Sequence, residues 1–158
     1  MVKKRTVPAA RPRRAVRKPV SFEDLTVADI MRKPGTSAKP DMKATEIALL
    51  MLKGTGSMPV LDKAKSLVGV VSEHDLLLSL DQGNEWRHQR AKEIMSANPY
   101  SVPIETTVAT LVHVLTESDL MSVPVVDARN RLLGIVSRRD VVKAMLRRGT
   151  KSPTPGRP

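Results

Sequence analysis

The chain has 158 residues, no Cys, one each of Phe, Trp and Tyr, and a formal charge of +11 from 27 basic and 16 acidic residues. Without Cys there is no disulfide framework and no thiolate nucleophile, which fits a reducing compartment. At 2% aromatic residues it has no platform for stacking bases or sitting in a membrane interface. The longest apolar run, Ile47 to Leu52, is six residues against the roughly 20 that a bilayer span requires, so a cytoplasmic protein without a membrane span is expected.

Residues 1–20 hold eight basic residues, no acid, and Pro8, Pro12 and Pro19. Such a segment buries too little apolar area to offset its ordering entropy, so a disordered basic arm is expected. No apolar stretch of a secretory signal follows it, and its prolines oppose the amphipathic helix of a mitochondrial presequence. Charge alone would let this arm hold nucleic acid, an anionic membrane surface or an acidic protein; a merely solvated tail has the same composition. Residues 147–158 repeat the pattern with four basic residues and no acid, which leaves 15 basic and 16 acidic residues between the two ends. The excess charge is thus a property of the tails, and the middle is nearly neutral.

The middle contains an internal repeat. Asp29-Ile30-Met31 returns as Glu93-Ile94-Met95, 64 positions on; Met58-Pro59-Val60-Leu61-Asp62 returns as Val123-Pro124-Val125-Val126-Asp127, 65 on. Leu67 through Leu76 returns as Leu132 through Val141, also 65 on. Each copy begins with a short helix ending at Met31 or Met95, stopped by Pro34 or Pro99. A short extended piece follows, near 36–38 and 100–102. Next comes an amphipathic helix: Ala44, Ile47, Ala48 and Met51 in the first copy, and Val108, Leu111, Val112 and Leu115 in the second, fall at i, i+3, i+4 and i+7. Two apolar strands, 58–61 with 67–72 and 123–126 with 132–137, are separated by polar turns. A closing helix runs over 73–80 and 138–146. This divides the chain into a basic arm (1–20), a first repeat (21–80), a linker (81–87), a second repeat (88–146) and a basic tail (147–158).

One copy has too few short strands to enclose its own apolar face, so the reading is one α/β module of two pseudo-twofold-related repeats packed sheet to sheet. The segment 47–52 is apolar all round, which one buried face does not require, and predicts a covered surface and a homodimer. Met31, Met51, Met95, Met121 and Met145 are read as core.

Each strand–helix junction carries Gly-x-x-Ser-x-x-Asp: Gly69, Ser72 and Asp75, then Gly134, Ser137 and Asp140. A helix N-terminus has unpaired N–H groups and welcomes an anion. A Ser hydroxyl can donate to phosphate or ribose, an Asp carboxylate can accept from two vicinal hydroxyls, and Gly permits close approach of a backbone or a ligand. Ser-x-x-Asp is equally a capping box that satisfies backbone donors. No metal-ligand spacing relates His74, His88 and His113. Gly54-Thr55-Gly56 lacks the Lys of a phosphate loop and no Ser sits in a nucleophile elbow. No catalytic residue is assigned, and an enzyme is not expected.

The combination of Asp/Glu-Ile-Met, hydrophobic-Pro-Val and Gly-hydrophobic-x-Ser-x-x-Asp, doubled over 21–146, resembles a tandem pair of CBS domains, a Bateman module. The resemblance implies a stand-alone regulatory module, non-catalytic and commonly dimeric, that binds AMP, ADP, ATP or S-adenosylmethionine in clefts between the repeats. Carried over by position, Asp75 and Asp140 would hold ribose hydroxyls, and Ser72 and Ser137 would touch ribose or phosphate. The segments containing Ser37 and Ala38, and Ser101 and Val102, would read adenine through backbone groups, with Pro59 and Pro124 lining the clefts. Ser57 and Ser122 stand where the family often has a basic residue for phosphate. Arg138, Arg139 and His74 could supply that charge, or could simply be solvated residues of a first helical turn. The alternative reading is a dimeric CBS scaffold with vestigial pockets, tethered by its basic tails to nucleic acid or an acidic protein.

Overall fold

The computed structural model describes residues 22–54, 56–83 and 85–148, the side chain of Arg148 excepted. The basic arm and residues 149–158 of the tail lie outside the described residues. After a 3-10 turn at Phe22–Asp24, the first repeat contributes α1 (Val27–Ile30), α2 (Ala44–Met51), β1 (Ser57–Leu61), β2 (Leu67–Ser72) and α3 (Glu73–Asp81). The second contributes α4 (Ala91–Ile94), β3 (Ser96–Ala97), β4 (Val102–Pro103), α5 (Val108–Glu117), β5 (Ser122–Val126), β6 (Leu132–Ser137) and α6 (Arg138–Arg148). The second copy follows the expected order, with β3 as an addition; in the first the expected strand near 36–38 is a single bridge at Ala38.

Two three-stranded sheets result, β1-β2-β3 and β4-β5-β6. In each, the central hairpin is antiparallel and in equivalent register, with Ser57 opposite Ser72 and Ser122 opposite Ser137. Pro59 and Pro124 sit inside these strands, where each lacks an N–H to give; the Pro59 carbonyl accepts the Ala38 N–H at 2.8 Å. Ala38 forms a one-residue parallel bridge to Val60, the counterpart of parallel β4 on β5.

The outer edge of β2 and of β6 is covered by the other repeat. β3, which follows α4, pairs with β2 through Gly69↔Ala97 and Val70↔Ser96. Arg32, which follows α1, pairs with Ile135 of β6. The short helices cross with their strands. Val27 is fully buried in one apolar cluster with Val108, Leu111, Val123 and Val136, all of the second repeat; Ala91 is fully buried in another with Ile47, Val60 and Val71 of the first. Backbone bonds fix the exchange: Val27 N–H to Thr106 O at 2.7 Å and Val108 N–H to Leu25 O at 2.8 Å. The other half repeats them as Ala91 N–H to Met42 O and Ala44 N–H to Gln89 O, both 2.8 Å.

The motif glycines belong to this joint. A Cβ on Gly134 would lie 2.7 Å from both the Arg32 carbonyl oxygen and Met31 Sδ, and a Cβ on Gly69 would lie 2.8 Å from Met95 Cγ. Each Gly is therefore bare so that the Met closing the other repeat's short helix can lie on it. Buried apolar residues form two clusters rather than the one layer implied by sheets packed face to face. The physical reason is that each half completes its core with the other's helix. Met31, Met51 and Met95 pack against these clusters as expected. Met121 and Met145 do not: both are exposed.

Candidate functional site

The site is built at the two strand–helix junctions. Ser72 ends β2 and caps α3. Its N–H and Oγ donate to Asp75 Oδ2 at 2.7 and 2.6 Å, and Oγ accepts the Asp75 N–H at 3.3 Å. Ser137 and Asp140 repeat this, with 2.9 and 2.6 Å to Asp140 Oδ2 and 3.4 Å for the return bond. Both capping boxes are thus formed, contributing about 1 kcal/mol each. They also pin both carboxylates by one oxygen, Oδ2, and Oδ1 accepts none of these bonds.

The other expected residues are distributed unevenly. Ser57 Oγ and Ser122 Oγ, equivalent in the repeat, meet at 3.2 Å where the two junctions face each other. Ala38 is buried with both backbone groups taken, its N–H by Pro59 O and its carbonyl by the Leu61 N–H at 2.9 Å. Val102 is likewise buried and paired, opposite Val125. Ser37 and Ser101 are half-buried; His74 and Arg139 are exposed. Pro59 and Pro124 are buried within their strands. Arg138 is committed elsewhere: its Nη2 donates to the carbonyls of Leu115 at 3.0 Å and Ser118 at 2.7 Å, closing the C-terminal end of α5.

Three cavities adjoin these residues. One of about 330 Å³ is lined by Thr36, Ser57 and Met58 of the first repeat and Ile135 of the second, with Arg32, Lys33 and Lys53 at its wall and no acid. Ser57 is in register with Ser72 of the first junction, while Ile135 precedes Ser137 in β6 and Arg32 bonds Asp140 of the second, so this cavity lies between the repeats on the side of the second junction. A second, of about 300 Å³, places Asp140 beside Arg32, Lys143 and Arg147. A third, of about 860 Å³, is lined by Ser37 and Ala38 together with Lys39, Lys63 and Lys65. All three reach the ~300–1,000 Å³ range of small-molecule sites. Asp41, on the rim of the third, is held below its ordinary value by the hydrogen bond and charge of Lys92. Among the described residues no cluster of His, Cys, Asp and Glu could hold a metal ion, and no helix is long and apolar enough to cross a membrane.

Sequence reasoning missed Arg32, Lys33 and Lys53. Aligning the repeats residue by residue carries the signal, because Arg32-Lys33 directly follows Asp-Ile-Met, where the second copy has Ser96-Ala97.

The family model for the CBS domain matches residues 27–81 and 91–147. The chain belongs to the CBS-domain family. It is a tandem pair, a Bateman module. The structure of CBSX2 from Arabidopsis thaliana in complex with AMP is similar, with 30% identity and a TM-score of 0.71, covering 77% of this chain and 96% of that one. The CBS pair of MJ0100 in complex with 5'-methylthioadenosine and S-adenosyl-L-methionine has 27% identity and a TM-score of 0.68, covering 75% and 94%. Among curated proteins, MK0525 of Methanopyrus kandleri is 26% identical over 77% of this chain. The L-aspartate semialdehyde sulfurtransferase of Methanocaldococcus jannaschii is 28% identical over 81%. The chain spans 63% and 25% of the lengths of these two relatives.

Proposed function

We propose that this CBS pair is a non-catalytic sensor of an adenine nucleotide, bound at the strand–helix junctions between the repeats. The observation that carries the reading is the cavity between the repeats that joins Thr36 and Ser57 to Ile135. Its apolar wall comes from both repeats, through Met58 and Ile135, and three cations with no acid surround it. An apolar wall suits a base, and the cations suit a phosphate. They take the place of the basic residue absent at Ser57 and Ser122, and favour AMP, ADP or ATP over the cationic S-adenosylmethionine. That similar CBS pairs carry AMP, and 5'-methylthioadenosine with S-adenosyl-L-methionine, supports the adenosine part. Asp75 and Asp140 would accept from the ribose diol through Oδ1, with Ser72 and Ser137 holding each carboxylate in place. Thr36 and Ser37 would take over base reading from Ala38, whose backbone is fully paired.

The output is proposed to pass through a homodimer. Leu49 on α2 and Leu52 just after it are 65% and 84% exposed, Leu77 on α3 is 64% exposed and Leu146 on α6 is 80% exposed. α2 contacts α3 as α5 contacts α6, so the repeat symmetry yields two like helical faces on one molecule. A second copy brings the same pair, which is the condition for a self-complementary interface.

Calorimetric titration of AMP into the full chain tests the sensor reading. Binding should be present in the native protein and lost in the Asp75→Asn/Asp140→Asn variant, with circular dichroism confirming that this variant remains folded. A folded double variant with undiminished affinity would refute the assignment. A native protein indifferent to AMP, ADP and ATP would move the function to the basic arm of residues 1–20.

A further inference from the structure

The largest of the three cavities lies away from the first junction. Its wall holds Leu61 and Lys63, at the turn end of the β1–β2 hairpin where Leu61 pairs with Leu67; the Ser57–Ser72 pair closes the other end. Leu61 and Ser57 are the two ends of β1, about 13 Å apart. Thr36 lines the cavity between the repeats and Ser37 lines this one, so the segment they share is the partition between the two.

The charge available to this cavity is of one sign. Lys39, Lys63 and Lys65 line it and form no ion pair among the described residues. The two carboxylates beside them are committed elsewhere. Asp62 Oδ1 accepts the N–H groups of Ala64 and Ser66, both at 2.8 Å, which folds the turn. Asp41 Oδ1 lies 3.0 Å from Lys92 Nζ and 3.9 Å from Arg90 Nη1, cations of the second repeat. Pro34, Pro40, Leu61 and Leu132, each half-buried, supply an apolar wall.

The other copy lacks this arrangement. Lys39, Lys63 and Lys65 correspond there to Pro103, Ala128 and Asn130, and Arg131 is spent on Asp127 at 2.8 Å. Lys65 has φ of +64° and Asn130 of +59°. Asn enters that left-handed region readily, whereas Lys does so at a steric cost, so the first copy puts a cation where its backbone resists one. The turn is nonetheless fixed from the second repeat. Leu67 N–H donates to Asn130 O and Asn130 Nδ2 donates to Leu67 O, both at 2.9 Å. The backbone carrying these lysines is therefore set before any ligand arrives.

We propose that this cavity is a second ligand site, separate from the nucleotide site, for a small organic anion that joins a phosphate to an apolar body. The lysines take the phosphate, which offers several acceptor oxygens to their ammonium donors. The apolar wall takes the body, and a volume of about 860 Å³ is far more than a bare phosphate fills. The enclosure suits a small molecule rather than a nucleic-acid backbone, which a flat basic face would serve. The site belongs to the first copy alone.

The test maps amide resonances of the isotope-labelled full chain during titration with 1-naphthyl phosphate, inorganic phosphate and 1-naphthol. The naphthyl phosphate should shift Lys63, Ala64, Lys65 and Ser66 saturably. Inorganic phosphate should need at least tenfold higher concentration, and 1-naphthol should leave these resonances in place. Lys63→Ala/Lys65→Asn, which copies the turn of the second repeat, should bind at least tenfold more weakly as read at Ser66, with resonances elsewhere showing an intact fold. Undiminished affinity in that variant, no saturable shift in the native chain, or shifts confined to Arg32 and Ile135 would each overturn the proposal. Inorganic phosphate binding as tightly would overturn the organic-anion assignment. If oligothymidylate shifts the turn and 1-naphthyl phosphate does not, the lysines serve a nucleic-acid backbone and the proposal falls. None of these outcomes depends on AMP binding, whose test residues Asp75 and Asp140 do not line this cavity.

Discussion

Gly134 and Gly69 occupy the same place in the motif, yet they should tolerate a methyl group differently. A Cβ at Gly134 meets the backbone carbonyl of Arg32, which cannot move without breaking its pairing to Ile135; the three atoms nearest a Cβ at Gly69 all belong to the side chain of Met95. Overpacking costs about 1–3 kcal/mol, so Gly134→Ala should lie at the upper end and Gly69→Ala at the lower, as read from denaturant midpoints. Adding Met95→Ala to Gly69→Ala should recover part of the loss, and no rescue would mean that Met95 is not what requires this Gly. The motif itself was legible in the sequence, as were both readings of Ser-x-x-Asp. What made Gly necessary was not, because Met31 and Met95 reach their glycines only after the chain has folded across from the other repeat. Arg138 was misplaced for a related reason: its position in a first helical turn said nothing of the Leu115 and Ser118 carbonyls waiting at the end of α5.

Elements with their own periodicity were readable: α2 and α5 from apolar spacing, and the two hairpins from apolar runs around polar turns. β3 was not, since Ser96–Ala97 is two exposed residues with no alternation and becomes a strand only by pairing with β2. The same exchange makes the halves interdependent. A chain cut after Gln82 keeps α1 without the cluster that buries Val27, and loses the α4 that completes the other cluster with Ala91. Such a fragment should lack dispersed amide resonances and a cooperative melt, whereas the full chain should show both. A fragment that folds cooperatively alone would mean the exchanged helices are accessory. The exchange also accounts for the cavity whose wall joins Thr36 and Met58 to Ile135: it combines both repeats because the joint between them runs through it.

For the molecule as a whole, the apolar faces of α2, α3 and α6 predict assembly. Sedimentation at micromolar concentration should give a species of twice 17.4 kDa, and Leu52→Glu with Leu146→Glu should halve it without lowering helix content. A native monomer at that concentration would leave these faces without the proposed partner. In the run from Ile47 to Leu52, from which the sequence reading expects a covered surface, Ile47 and Met51 are buried and Leu49 and Leu52 are exposed.

The crossing of α1 and α4 bears on how such a chain can arise. A single unit of this kind, standing alone, would offer its first helix and find no place to put it; it becomes complete only beside a twin that returns the favour. Tandem duplication joins the twins covalently, so an encounter that once depended on protein concentration becomes intramolecular, with an effective concentration on the order of millimolar for a short connection. Once joined, the twins need no longer be identical. One may keep Ser96 while the other acquires Arg32, and asymmetry forbidden to two copies of one gene product becomes available within one chain.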